Sequence, residues 1–138
     1  MDNVLIVVDM QNDFVYGNLG TPEAQAIVPN VVKLVQEANA NRDMIIFTQD
    51  IHKPEDYIQT TECHYVPYHC ISGTEGVCII EELQPYIDRY VCKSTYGTNI
   101  WEIYRDIFED ARSITLCGVC TDICVISNAL ILRSMYPR

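Results

Sequence analysis

The stretch that most constrains this chain is Ile114-Thr115-Leu116-Cys117-Gly118-Val119-Cys120-Thr121-Asp122-Ile123-Cys124-Val125. Its first half is an apolar run rich in β-formers that stops at Gly118. Its second half turns through polar residues into an apolar segment of helical length from about Ile123. The pattern predicts a buried strand, a sharp turn and a helix with Cys124 in its first turn. Unpaired backbone N–H groups and the helix dipole favour negative charge there, so a lowered thiol pKa is expected for Cys124. It is the best-placed nucleophile in the chain. Plain core packing is the competing role, since free cysteine is among the most buried residue types.

Other segments follow the same strand-then-polar design. Val4 to Val8 is a continuous β-branched and aliphatic run that ends at Asp9. Met44 to Thr48 ends at Gln49-Asp50-Ile51-His52, and Tyr90-Val91-Cys92 delivers Lys93. Between them, Thr21 and Pro22 suit the N-cap and first position of a helix reaching about Ala40, with Ile27, Val28, Val31, Val32, Leu34 and Val35 on its apolar face. Short helices are expected over Val77 to Ile87 and Asn99 to Phe108. Strands alternating with helices predict a mostly parallel, doubly wound α/β sheet, in which chemistry gathers at the carboxyl ends of the strands. Asp9, Lys93 and Cys124 then converge as a base, a cation and a nucleophile. Taken singly, Asp9 could cap a loop and Lys93 could be a solvated amine.

The segment from Lys53 to Thr74 has little periodicity and holds two of the three histidines, with His52 just before it. It is long for a plain connection, which marks it as a site loop. Asp50 and His52 are two apart, the spacing that aims both side chains to one side of an extended strand end. Glu62, His64 and His69 follow. This mixed N/O set suits Zn²⁺, Fe²⁺ or Mn²⁺ with positions left for water. Hydrogen bonding of His64 and His69 to loop backbone is the bland alternative.

Composition narrows the partners. The net charge is −10 over 138 residues, which argues against nucleic acid and against an anionic membrane surface. The length and the 49% hydrophobic content suit one domain spanning 1–138. No apolar run reaches transmembrane length, and Met1-Asp2-Asn3 lacks the basic start of a signal peptide, so a soluble, cytoplasmic protein is expected. The seven cysteines read as free thiols, mostly buried, of a reducing compartment. Cys117-Gly118-Val119-Cys120 matches C-x-x-C, but a structural zinc site needs a second pair and a thioredoxin-like motif opens a helix directly.

Five motifs occur in order: Asp9-Met10-Gln11-Asn12-Asp13-Phe14, Asp50-Ile51-His52, His69-Cys70-Ile71-Ser72-Gly73-Thr74, Lys93-Ser94 and Gly118 to Val125. With them the chain resembles the isochorismatase-like cysteine hydrolases, and within that family most closely the nicotinamidases (pyrazinamidases). The resemblance implies a three-layer fold and a small-molecule substrate, nicotinamide, hydrolysed to nicotinate and ammonia through a cysteine thioester. It implies Asp9 as general base and acid, Lys93 as its charged partner and Cys124 as nucleophile. It also implies a cis peptide between Val119 and Cys120, with the backbone N–H groups of Cys120 and Cys124 as oxyanion hole. Asp50, His52 and His69 would ligate one divalent metal, zinc first, with iron or manganese as alternatives. Glu62 would be the fourth ligand, with His64 as the competing assignment. Phe14 and Tyr96 would pack the substrate ring, and Val66 stands where relatives often have Trp. Isochorismatases proper lack the Asp/His cluster.

Relatives usually continue into a further strand and helix, whereas this sequence stops at Arg138. The segment Ile123 to Tyr136 is apolar on nearly every side. It is expected to be covered either by a missing C-terminal piece or by a partner chain, as in a homo-oligomer.

Overall fold

The computed structural model describes residues 3–137. β1 (Asn3–Val8) pairs in parallel with β2 (Met44–Asp50) and with β4 (Ser113–Gly118), and β2 pairs in parallel with β3 (Arg89–Lys93), giving the order β3-β2-β1-β4. The chain steps outward from β1 to β3 and then returns to the other side of β1. The strand order therefore reverses between β1 and β4, the position where α/β sheets open a ligand crevice at their carboxyl ends.

Helices cover both faces. α1 (Asn12–Val15) is a single turn after β1, and α2 (Pro22–Asn41) begins where Thr21 Oγ1 accepts the Ala24 N–H at 3.0 Å. The α2 stripe of Ala24, Val28, Val31, Val35 and Ala38 packs on Leu5, Val7, Ile45 and Phe47. α3 (Pro54–Tyr57), α4 (Arg105–Asp110) and α5 (Ile126–Met135) follow in order. On the opposite face Trp101, Phe108, Leu132 and Tyr136 pack on Val4, Ile6, Val8, Ile46 and Val91. This three-layer doubly wound sheet is the architecture the alternating pattern predicts. No helix among the described residues is long and apolar enough to cross a membrane.

Several local expectations are corrected. Val77 to Ile87 is not one helix but two 3-10 turns, Glu75–Val77 and Glu81–Tyr86. Between them the chain runs extended so that Ile79 bridges Gln11 and Ile79 and Ile80 enter the core. Over Asn99 to Phe108, a 3-10 turn (Ile100–Tyr104) precedes α4. Leu34 is exposed on α2. β4 is an edge strand rather than a buried one: Thr115 is exposed and Ile114, Leu116 and Cys117 are half-buried. Of the seven cysteines only Cys70 and Cys124 are buried, because Cys92 lies on the edge strand β3 and Cys78 and Cys120 lie outside regular elements.

The turn after β4 is as tight as Gly118 allows. Its φ is 118°, and a Cβ there would sit 2.1 Å from the Val8 carbonyl oxygen. The Val119–Cys120 peptide is cis. A π-helical turn (Thr121–Val125) then leads into α5, with the Cys120 carbonyl accepting from the N–H groups of Ile123 and Val125, each at 3.1 Å.

Candidate active site

Asp9 follows the last residue of β1 with a left-handed φ of 49°. Strict alternation would aim it, like Leu5 and Val7, at the α2 layer. The left-handed step reverses it toward the other face, at a cost on the order of 1–3 kcal/mol. There the Thr48 hydroxyl donates to Asp9 Oδ1 at 2.5 Å, and the Lys93 ammonium lies 2.7 Å from Oδ2. Oδ2 and the ammonium thus form a close ion pair in which both side chains are completely buried. Lys93 sits opposite Asp50 in the β2–β3 register. Its Nζ is also 3.6 Å from Asp50 Oδ1, 3.7 Å from Cys124 Sγ and 3.0 Å from the Thr95 carbonyl it donates to. The three residues predicted to converge are therefore in contact, with Lys93 between the other two.

Electrostatics follow from burial. Desolvation raises the Asp9 pKa above the ordinary carboxylate value, opposed by Lys93 and reinforced by Asp50. Desolvation works against the Lys93 charge, but Asp9 and Asp50 outweigh it and raise its pKa, so the amine is held protonated. Cys124 is 6% exposed. Desolvation raises its thiol pKa, Asp9 raises it further, and Lys93 opposes both. The lowered value expected from its helical position is not found. A helix terminus is worth about 0.3–1 kcal/mol to a charge, less than removing a thiolate from water costs. Burial therefore favours the neutral thiol over the thiolate.

Beside this group, ligand atoms of Asp50, His52 and His69 all lie within 4.8 Å of one another, and all three residues are buried. His52 Nε2 is 2.8 Å and His69 Nε2 3.3 Å from Asp50 Oδ2. The Pro67 carbonyl lies 2.8 Å from His69 Nδ1, which leaves Nε2 facing the cluster. Desolvation lowers the His69 pKa, but Asp50 and the Pro67 carbonyl raise it more. Desolvation raises the Asp50 pKa, but His52, His69 and Lys93 together hold it below its ordinary value. Two imidazoles and a carboxylate on one point fit a divalent transition metal. Glu62 Oε1 approaches His69 Nε2 to 3.8 Å, outside that tight trio, whereas His64 is exposed and packs beside Tyr65.

Residues 3–133 match the model of the Isochorismatase domain. The chain belongs to the isochorismatase family. A pyrazinamidase/nicotinamidase from Streptococcus mutans superposes with a TM-score of 0.85 at 30% identity, over 98% of this chain and 82% of that one. An N-carbamoylsarcosine amidase from Thermoplasma acidophilum gives 0.83 at 30% identity, over 99% and 79%. A pyrazinamidase of Pyrococcus horikoshii in complex with zinc gives 0.78 at 28% identity, over 98% and 80%.

In this isochorismatase-family hydrolase, the other candidate residues frame the same crevice. Phe14 packs 5.4 Å from the His69 ring, centroid to centroid. Tyr96 is 45% exposed at the rim, with its hydroxyl toward Glu62. Several supporting residues escaped the sequence reading. Tyr57 is fully buried against both His52 (4.9 Å) and His69 (5.4 Å), and its hydroxyl donates to the Val66 carbonyl at 2.9 Å.

Gln11 acts as a side-chain strand on Asp50: Oε1 accepts the Asp50 N–H at 2.8 Å, and Nε2 donates to the Asp50 carbonyl at 2.7 Å. Asp13 Oδ2 accepts the Cys70 N–H at 2.8 Å, next to His69. A Cβ at Gly76 would lie 2.2 Å from Oδ2, so any larger residue there would have to displace that carboxylate. Thr48 carried a readable signal, being two residues before Asp50 on one strand face. Gln11 and Asp13 carried none beyond polarity, because their partners are far away in sequence.

Proposed function

We propose that the chain is a metal-dependent nicotinamidase that hydrolyses nicotinamide to nicotinate and ammonia. The observation that carries this reading is the contact of Asp9, Lys93 and Cys124 beside the Asp50–His52–His69 cluster. Such a site pairs an amide-cleaving nucleophile with a place for a heteroaromatic nitrogen.

The Asp9 carboxylate accepts the Cys124 proton, and the thiolate attacks the carboxamide carbon, forming the C–S bond. The backbone N–H groups of Cys120 and Cys124 stabilise the oxyanion. Asp9 returns the proton to the nitrogen, the C–N bond breaks, and ammonia leaves. Water, deprotonated by Asp9, then cleaves the thioester to nicotinate and restores the thiol. Lys93 stays protonated throughout and offsets the negative charge passing between carboxylate and sulfur. Phe14 and Tyr96 pack the ring.

Asp50, His52 and His69, with Glu62 as fourth ligand, would hold one divalent ion, zinc first, with iron or manganese as alternatives. When bound, that ion supplies a Lewis acid that positions the pyridine nitrogen and orders water. The product is a pyridine carboxylate, which suits a role in pyridine-nucleotide salvage in the cytoplasm.

A second reading keeps the same chemistry on a different amide or carbamoyl group, supported by the likeness to the Thermoplasma amidase. Ammonia release from nicotinamide, with and without a chelator, separates the two. Release that is lost on chelation supports the nicotinamidase reading. Release only from other amides supports the second, and none from any amide overturns both.

A further inference from the structure

Asn128 is a fully buried polar side chain in α5, four residues after Cys124. Its amide offers two N–H donors and one oxygen with two lone pairs, and every one is used. Nδ2 donates to the Cys124 carbonyl at 2.9 Å and to the Tyr96 carbonyl at 3.1 Å. Oδ1 accepts from Trp101 Nε1 at 3.0 Å and from the Thr98 N–H at 3.2 Å. These partners belong to two separate pieces of chain: the residue bearing the sulfur, and the 96–101 segment beyond Lys93.

We propose that Asn128 is a positioning residue that sets the distance between the Cys124 sulfur and the Tyr96 wall of the substrate crevice. The proposal rests on the reading of Cys124 as nucleophile and Tyr96 as ring-packing residue. The 96–101 segment rides directly on α5, since a Cβ at Gly97 would come within 2.6 Å of Ile131 Cδ1. The Tyr96 side chain itself is 45% exposed. Asn128 is the polar link between its backbone and the nucleophile's. A shift of one relative to the other would misalign ring and thiol together, so binding and chemistry would suffer at once.

The two ends of the amide separate this role from a structural one. Asn128→Asp keeps the shape and the acceptor for Trp101 and Thr98 but sets an oxygen against two carbonyls. Trp101→Phe removes one donor to Oδ1 and leaves the Cys124 and Tyr96 bonds intact. Steady-state kinetics on the metal-loaded enzyme are expected to show a higher KM and a lower kcat for Asn128→Asp, with kcat/KM down roughly 10- to 100-fold. Trp101→Phe is expected to keep both constants, even if it melts earlier.

The rate of Cys124 alkylation by iodoacetamide, followed on its peptide by mass spectrometry, is expected to change only in Asn128→Asp. An unchanged kcat, KM and alkylation rate in that variant overturns the proposal. The alkylation readout needs no turnover, so it decides the point even if nicotinamide proves not to be the substrate. If Asn128→Asp does not fold, Asn128→Ser takes its place in the same assays. Failure of both to fold while Trp101→Phe folds assigns Asn128 a structural role and overturns the proposal equally.

Discussion

The Lys93 ammonium, on an edge strand, lies 2.7 Å from Oδ2 of Asp9, just past the end of the strand two positions away. It reaches across β2 to do so, and both side chains are completely buried. The same ammonium is 3.7 Å from Cys124 Sγ. In the proposed mechanism one cation neutralises the carboxylate and then the thiolate, so a proton passes between them with little net change in buried charge.

That arrangement makes Lys93 a stability residue as well. Lys93→Met leaves Asp9 without its counter-charge, and breaking a buried pair this way costs about 3–5 kcal/mol. The sign with pH follows from the raised Asp9 pKa: an ionised buried carboxylate is penalised above that pKa and relieved below it. Denaturant unfolding of Lys93→Met is expected to show its largest deficit at neutral pH and a smaller one as pH falls through the Asp9 titration. A deficit that grows on acidification contradicts the pairing.

Cys124→Ala removes the sulfur from the edge of the apolar layer and touches no metal-facing atom. Turnover is expected to vanish while metal content and fold persist, checked by elemental analysis and circular dichroism. Measurable ammonia release from this variant would remove Cys124 from the chemistry.

The acidic limb of the rate profile reports Asp9. Its raised pKa predicts that kcat/KM falls with decreasing pH at a pH above the ordinary carboxylate value of about 3.9. The Thr48 hydroxyl hydrogen-bonds Oδ1 and lowers the Asp9 pKa against burial. Thr48→Val deletes that bond, so the limb is expected to move to higher pH. A limb that moves to lower pH, or stays put, argues against Asp9 as the titrating base.

Metal retention separates ligands from their supports. His69→Ala is expected to lose the ion on elemental analysis, since it removes one of the three converging ligand atoms. Gln11→Ala keeps every ligand but frees the Asp50 backbone, and loss of such support typically lowers affinity on the order of 10- to 100-fold. Competition with a chelator of known strength measures both. Full retention in His69→Ala would exclude it from the ligand set.

Much of this molecule is legible one segment at a time. Hydrophobic runs mark the four strands, Thr21-Pro22 opens the long helix, and Gly118 announces the turn before Cys124. Each is a property of neighbouring residues, and alternating strands and helices leave few topologies. Glu62 and His64 could not be separated on spacing, because both lie in an aperiodic loop whose path depends on distant contacts. The loop is held by Tyr57 packing against both His52 and His69, and by Asp13 accepting the Cys70 N–H.

By itself, then, the order of residues determined the doubly wound sheet, the polar strand ends and the placement of Cys124 at a helix start. Only the tertiary structure decided which way Asp9 points, since a left-handed φ undoes the alternation its strand would impose. It also set the direction in which the Cys124 pKa moves, because desolvation depends on everything packed around a thiol. Asn128 and Gln11 became meaningful only once segments remote in the chain were folded against them. Periodicity is local and can be read along a line, but hydrogen bonds and fields act through space.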